Sequence, residues 1–178
     1  MTGSVGTAST TALAVMFVVG TARCALRQRD VSEILPVPHL WRSPGLPRTV
    51  EGFMNLGGTA VAVVSLERLF GVDLADGDAS YPRIYRHLIL LRSSRTAHPL
   101  ALLVPRVLDV LSVPRERLRP VEDSETLNGC VEAEIEVEEG FVHLLAADRI
   151  LLEQERRILS ELRQDAQARL AEWRTGGS

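Results

Sequence analysis

Short runs of Val, Leu and Ile follow one another from Leu13 to about residue 145, separated by Gly, Pro, Asp and Ser. This spacing is typical of many short strands rather than of helices. We predict eight strands, at residues 14–21, 23–35, 50–56, 59–66, 84–92, 100–111, 130–138 and 141–145. Eight short strands with tight turns indicate a β-barrel or β-sandwich architecture.

The clearest strand is residues 131–138, where apolar and acidic residues alternate. Successive side chains of a strand point to opposite faces, so we expect one face in a core and the other in water. The acidic positions are Glu132, Glu134, Glu136 and Glu138. This row is too open and regular for a buried acid pair or a calcium cage, and we expect a solvated sheet edge. Glu139-Gly140 then predicts a hairpin turn.

The hydrophobic period changes after Asp148. Apolar residues then recur at helical intervals with Glu, Arg and Gln between them, which predicts one amphipathic helix over residues 149–174. Gly176-Gly177 ends it. A helix laid across the β structure is favoured, and a coiled-coil or docking helix is the alternative. Fewer than four heptads are available for a coiled coil.

Two polar segments divide the chain. Residues 1–12, rich in Gly, Ser and Thr, predict a disordered lead, because they cannot bury enough apolar area to offset their ordering entropy. Residues 73–82 form the best internal boundary. They separate a first barrel, at about 13–75, from a second, at about 83–148, and leave an exchange of elements between the two open.

Composition and charge exclude several classes of protein. The 178 residues are 46% hydrophobic and 24% charged, as in an ordinary folded chain. All 20 basic side chains are Arg, against 23 acidic ones, and this balance gives no general attraction for nucleic acid or anionic membrane. The apolar run at residues 13–20 is too short to cross a bilayer and follows no basic segment, so we expect a cytoplasmic protein without membrane insertion.

No motif assembles a catalytic or metal site. Cys24 and Cys130 lie far apart in the sequence and are expected to be buried, isolated thiols. Four single histidines, at positions 39, 87, 98 and 143, belong to no nucleophile or zinc pattern. We therefore predict no cofactor and no metal, and keep a small hydrolase using Cys24 or a histidine as an alternative from another class.

Four segments resemble the CheW family of chemotaxis coupling proteins. V-S-E-I at residues 31–34 and E-G-F-M-N-L-G-G at residues 51–58 resemble the family's V-x-E-I and I-x-G-x-x-N-L-R-G patterns. Residues 102–111 look like its second-barrel segment, and residues 143–151 like its closing strand and helix start. The resemblance extends over about residues 14–155.

The resemblance implies a mainly β domain over residues 13–155 with two packed, five-stranded SH3-like barrels, followed by the long C-terminal helix. It also implies no enzyme activity. The expected role is an adaptor that joins the cytoplasmic tips of chemoreceptors to the regulatory domain of a CheA-type histidine kinase, at membrane-associated receptor arrays. The implied partner-binding residues are Val31, Glu33, Leu35, Asn55, Leu56, Gly57, Gly58, Val107 and Leu108. Asn and Gly also suit a tight turn whatever its function.

Four positions depart from the family pattern. Gly57 stands where the family has Arg, and Ser65, Pro105 and Ala146 stand where it has Asp. Because glycine cannot replace a guanidinium, we predict a divergent adaptor. The alternative is a CheW-fold protein that no longer couples receptor and kinase, and instead titrates or modulates the kinase or self-associates through its C-terminal helix.

Overall fold

The computed structural model describes residues 11–72, 83–92, 98–121 and 127–175. Within them the chain forms eleven strands: β1 (Ala12–Val19), β2 (Ala22–Arg27), β3 (Val31–Pro36), β4 (Val50–Leu56), β5 (Thr59–Ser65), β6 (His87–Leu91), β7 (Leu100–Val104), β8 (Arg106–Val113), β9 (Leu118–Pro120), β10 (Val131–Val137) and β11 (Gly140–Leu145). The helices are α1 (Leu66–Leu69) and α2 (Glu153–Thr175). The mainly β fold with a long C-terminal helix is confirmed. Of the lead expected at 1–12, residues 1–10 lie outside the described residues and Ala12 already belongs to β1. The boundary at 73–82 and the helix stop at 176–177 also lie outside them.

Two predicted strands are each divided in the structure. A 3₁₀ turn at Gln28–Asp30 separates β2 from β3, and Pro105 separates β7 from β8. Proline has no N–H for a ladder hydrogen bond, so a continuous central strand cannot pass through it. At both breaks the chain leaves one sheet and enters the other. The three-residue β9 is the strand that the hydrophobic pattern did not predict.

Within the described residues the strands form two sheets. The six-stranded sheet has the order β8-β1-β2-β11-β10-β9, and the five-stranded sheet has the order β3-β6-β7-β5-β4. A division in chain order at 73–82 does not describe them, since β6 and β7 join β3–β5 while β1 and β2 join the last four strands. No described pairing links β8 to β9 or β3 to β4, so both SH3-like barrels are open along one side.

The three central strands of the five-stranded sheet, β5, β6 and β7, are buried on both faces. In β5, Ala60, Ala62 and Val64 face a core shared with the six-stranded sheet, whereas Val61 and Val63 face the sheet's own inner core. β6 and β7 alternate in the same way. The apolar runs in the sequence therefore mark strands that lie between two cores.

The carboxylate row of β10 does not form a sheet edge, because β10 lies between β9 and β11. Its inner face contributes Ala133 and Ile135 to the six-stranded sheet's inner core. Its outer face forms ion pairs: Glu132 with Arg27 at 2.6 Å, Glu134 with His143 at 3.5 Å and Glu136 with Arg119 at 2.8 Å. The strand and its alternation are confirmed, but the solvated edge is not. The hairpin turn consists of residues 138–139, and Gly140 already belongs to β11.

Helix α2 packs against β5 of the five-stranded sheet. Ala166, with 1% of its surface exposed, enters the shared core next to the small side chains of β5. The helix begins later than residue 149, because Ala147–Arg149 form a 3₁₀ turn that carries Ala147 and Ile150 into the core. Glu155 Oε2 accepts a hydrogen bond from the Leu152 N–H at 2.8 Å and caps the first turn of the helix.

Candidate functional site

An open groove of about 450 Å³ lies at one end of the five-stranded sheet, between the start of β3 and the β4–β5 turn. Its lining surface is polar and apolar in nearly equal parts: Ser32, Leu56, Thr59, Val61, Leu90, Leu91, Arg92 and Pro99. The groove brings together two segments that the sequence singled out separately, the V-S-E-I strand and the N-L-G-G turn. It is a surface suited to a protein segment rather than a closed reaction chamber.

The β4–β5 turn is a tight hairpin. Gly57 and Gly58 have positive φ angles of 58° and 92°, a conformation that side chains on L residues disfavour. Asn55 Oδ1 accepts a hydrogen bond from the Gly58 N–H at 2.8 Å and holds the turn closed. Leu56, 39% exposed, lines the groove. The turn thus needs its Asn and Gly for shape and also presents an apolar side chain.

The three candidate residues of β3 lie in different surroundings. Val31 is 6% exposed and packs in the shared core, so its replacement by Asp would test folding and not a partner surface. Glu33 is exposed, and its cross-strand neighbour Leu90 lines the groove. Leu35 is half-buried against the sheet's inner core. β3 is an outer strand of its sheet, and of these three candidates none lines the groove, although their neighbour Ser32 does.

Val107 and Leu108 lie apart from this groove, on β8 of the six-stranded sheet. Both are half-buried, and Val107 packs against the shared core opposite Phe17 of β1. β8 is an outer strand of its sheet, as β3 is of the other. The structure therefore places the candidate residues on two separate surfaces.

The departures from the family pattern have local structural roles. Ser65 Oγ accepts from the Arg68 N–H at 3.4 Å as the N-cap of α1, a role that Asp also fills. Pro105 marks the passage from one sheet to the other, and Ala146 is buried before the 3₁₀ turn. Gly57 leaves open space, because nothing lies within 4 Å of the position of a Cβ there.

Both cysteines are free and buried, as predicted from the sequence. Burial raises the pKa of Cys24 to about 12, and it raises the pKa of Cys130 to about 12 as well. Neither thiol is therefore poised as a thiolate nucleophile. They are not isolated from each other, since both lie in the shared core and a charge on Cys130 would further raise the pKa of Cys24.

One serine and histidine meet beside a cavity of about 110 Å³ under α2: Ser160 Oγ lies 3.2 Å from His98 Nε2. Ser160 is in the middle of a helix, where backbone N–H groups are bonded within the helix and cannot form an oxyanion hole. The pair alone therefore gives no support to a hydrolase. The described residues contain no group of three or more His, Cys, Asp or Glu that could hold a metal ion.

The fold and these surfaces define a class of protein, a double open-barrel module built for contact with other proteins. A family model described as the CheW-like domain matches residues 13–155, and the chain belongs to this family. A similar solved structure is the scaffolding protein TtCheW from Thermoanaerobacter tengcongensis. It is 19% identical, covers 76% of this chain and 84% of that chain, and has a TM-score of 0.67. At that identity the likeness shows the shared fold. The curated proteins give no significant match.

Two residues near the groove were not found from the sequence. Gln167 and Arg174 of α2 both approach the β4–β5 turn. A Gln and an Arg on an amphipathic helix look like ordinary solvated positions, and no local signal distinguishes them. No helix in the described part of the chain is long and apolar enough to cross a membrane.

Proposed function

We propose that this chain is a non-enzymatic adaptor of chemosensory signalling that couples the cytoplasmic tips of chemoreceptors to the regulatory domain of a CheA-type histidine kinase. The observation that carries the proposal is the open groove in a CheW-family chain, where the exposed part of β3 and the β4–β5 turn meet. Such partners would hold the protein in the cytoplasm at receptor arrays. The half-buried side chains Val107 and Leu108 on β8 offer a second surface, which we assign to the receptor helices.

A direct measurement of binding tests this proposal. The full chain is titrated with the purified kinase regulatory domain and, separately, with the receptor tip from the same pathway. Leu56→Asp is expected to weaken binding to the partner at the groove about tenfold, since a central apolar contact becomes charged. Phe141→Asp is the matched control, because Phe141 is 46% exposed but lies on the six-stranded sheet. Absence of wild-type binding to both partners would refute the coupling role.

Exposed apolar residues on α2 favour a second candidate, self-association through the helix. Trp173 is 84% exposed and Ile158 is 46% exposed. Deletion of α2 would not test this cleanly, because Ala166 belongs to the shared core. Sedimentation of the wild type and of Trp173→Glu is the cleaner test. A wild-type dimer that the substitution converts to a monomer would favour self-association, and a wild-type monomer would exclude it.

A further inference from the structure

The C-terminal half of α2 is fastened to the β4–β5 turn by one side chain. Gln167 Nε2 donates to the Gly58 carbonyl at 3.0 Å, and Gln167 Oε1 accepts from the Ala60 N–H at 2.8 Å. The pairing of β5 with β7 begins only at Ala62. The amide side chain therefore satisfies backbone groups that the neighbouring strand does not reach, and it fixes the position of the helix relative to the turn.

Arg174 is consequently held at the same turn. It follows Gln167 by two helical turns and so lies on the same side of the helix. A methyl group added at Gly58 would lie 2.9 Å from Arg174 Nη1, which shows how closely the guanidinium approaches. A side chain at position 58 would displace the end of Arg174, and the positive φ there favours glycine.

The charge at this place is not balanced by the described part of the chain. The Arg174 side chain is exposed, and no ion pair or side-chain hydrogen bond joins it to the residues described. The nearby groove is lined by a second cation, Arg92, whose Nε donates to the Arg29 carbonyl, and by no carboxylate among its described lining residues. Exposed apolar surface at Leu56 therefore lies between a guanidinium at the turn and another in the groove lining.

We propose that Arg174, positioned by Gln167, joins Leu56 in a docking point for a protein segment that carries a carboxylate beside an apolar side chain. The planar guanidinium would take the carboxylate, and the apolar side chain would enter the groove. Charge complementarity selects this occupant, since a basic segment would be repelled by both arginines. The inference rests on the proposed adaptor function. Arg174 lies outside the family-matched residues 13–155, so the contact belongs to this chain's own helix.

Binding of the full chain to the kinase regulatory domain and to the receptor tip, at low and high salt, tests the inference. For one of these partners we expect Arg174→Ala to weaken binding about fivefold and Arg174→Glu more than tenfold, with a smaller loss of affinity on adding salt. Arg157→Ala and Arg157→Glu are the controls. Arg157 is exposed on the same helix, about 25 Å away along its axis. Circular dichroism checks that every variant keeps its fold.

A relocation experiment separates the position of the charge from any effect on the helix. Gly57→Arg in the Arg174→Ala background returns a guanidinium to the turn from a site with open space around it. Recovery of at least half of the lost affinity is expected. If the wild type binds and Arg174→Glu binds equally well, the docking point is refuted while the adaptor function stands. Tighter binding by Arg174→Ala would show instead that the helix blocks the turn. A wild type that binds neither partner refutes both proposals.

Discussion

Two groups of strands cover their faces by different means. β5, β6 and β7, in the middle of the five-stranded sheet, place apolar side chains on both faces, one toward the shared core and one toward the sheet's inner core. β10, near one end of the six-stranded sheet, buries one face and pairs the glutamates of the other with Arg27, Arg119 and His143. β1 and β2, in the middle of the six-stranded sheet, alternate between two cores as β5 does, so the difference lies between central and peripheral strands rather than between the sheets.

This difference bears on where a partner can bind. Central strands covered on both faces by apolar layers can be reached only at their ends, and there Leu56 of the β4–β5 turn and Ser32 of β3 line the groove. The charged outer face of β9–β11 is already internally paired. A partner there would have to break existing ion pairs and desolvate them.

The largest effect should come from a charge placed on the shared-core side of the five-stranded sheet. We expect Val31→Asp to lower the free energy of unfolding by about 4 kcal/mol, since an unpaired carboxylate would be buried. Urea unfolding measures it. Glu33→Arg, two residues away on the exposed face, should change stability by no more than about 0.5 kcal/mol. Equal effects of both substitutions would contradict the burial of Val31 in the shared core and the exposure of Glu33.

The second largest loss of stability should come from removing the hydrogen bonds that fasten α2 to the five-stranded sheet. We expect Gln167→Ala to cost about 1–2 kcal/mol in the free energy of unfolding, because the Gly58 carbonyl and Ala60 N–H lose their partner. The control is Gln164→Ala, an exposed Gln on the same helix, which should cost less than about 0.5 kcal/mol. Indistinguishable denaturation curves for the two variants would show that the amide bridge does not fasten the helix.

The ion-pair layer of the six-stranded sheet should contribute less. Arg27 and Glu132 are 2.6 Å apart and their side chains are 28% and 25% exposed, so we expect Arg27→Ala to cost about 1 kcal/mol at low salt. The ion pair of Arg157 with Glu161, whose side chains are 84% and 69% exposed, is the comparison for this pair. It should contribute a few tenths of a kcal/mol to stability. The Arg27 effect should shrink as salt is added, and a salt-independent effect would point to packing instead.

The smallest expected effect is a pH dependence of stability, and it tests the contact between α1 and the β1–β2 turn. Glu67 of α1 is buried against the Gly20 N–H of the β1–β2 turn. Burial raises the pKa of Glu67 above 4.5, while Arg86, the Gly20 N–H and Arg68 oppose the rise. The folded state then binds more protons than the unfolded state, so this residue's contribution to stability falls as the pH rises above 4.5.

Glu67→Gln removes that titration. We expect the stability of the variant minus that of the wild type to be larger at pH 7 than at pH 4. Thermal unfolding of both proteins at both pH values measures this difference. Glu153→Gln, at the exposed start of α2, is the control. A stability difference for Glu67→Gln that is the same at both pH values would contradict the effect of burial.

Much of the fold could be predicted from local pattern. The alternation at residues 131–138 predicts β10 and its buried face, and the helical period predicts α2 almost to its last residue. Pattern alone could not show that Pro105 sends the chain into another sheet, or that the glutamates of β10 face basic side chains instead of an open edge. Those facts depend on which strands become neighbours.

The candidate site could be predicted only in part. The family resemblance pointed to Leu56, which lines the groove, and to Glu33, which is exposed opposite the groove-lining Leu90. It also pointed to Val31, whose burial follows from a register shift between Val31 and Glu33 that turns the two side chains to different sides. Val107 and Leu108 remain predictions on a separate surface.

The sequence by itself determined the strand-forming segments, the helix, the hairpin at Asn55–Gly58 and membership in the CheW-like family, because periodicity and turn chemistry act between residues close in the chain. Only the tertiary structure decided how the strands are shared between the sheets and which residues of α2 approach the turn. Gln167 and Gly58 are 109 positions apart. No local rule selects such a pair, since the contact follows from burying Ala166 against the small residues of β5.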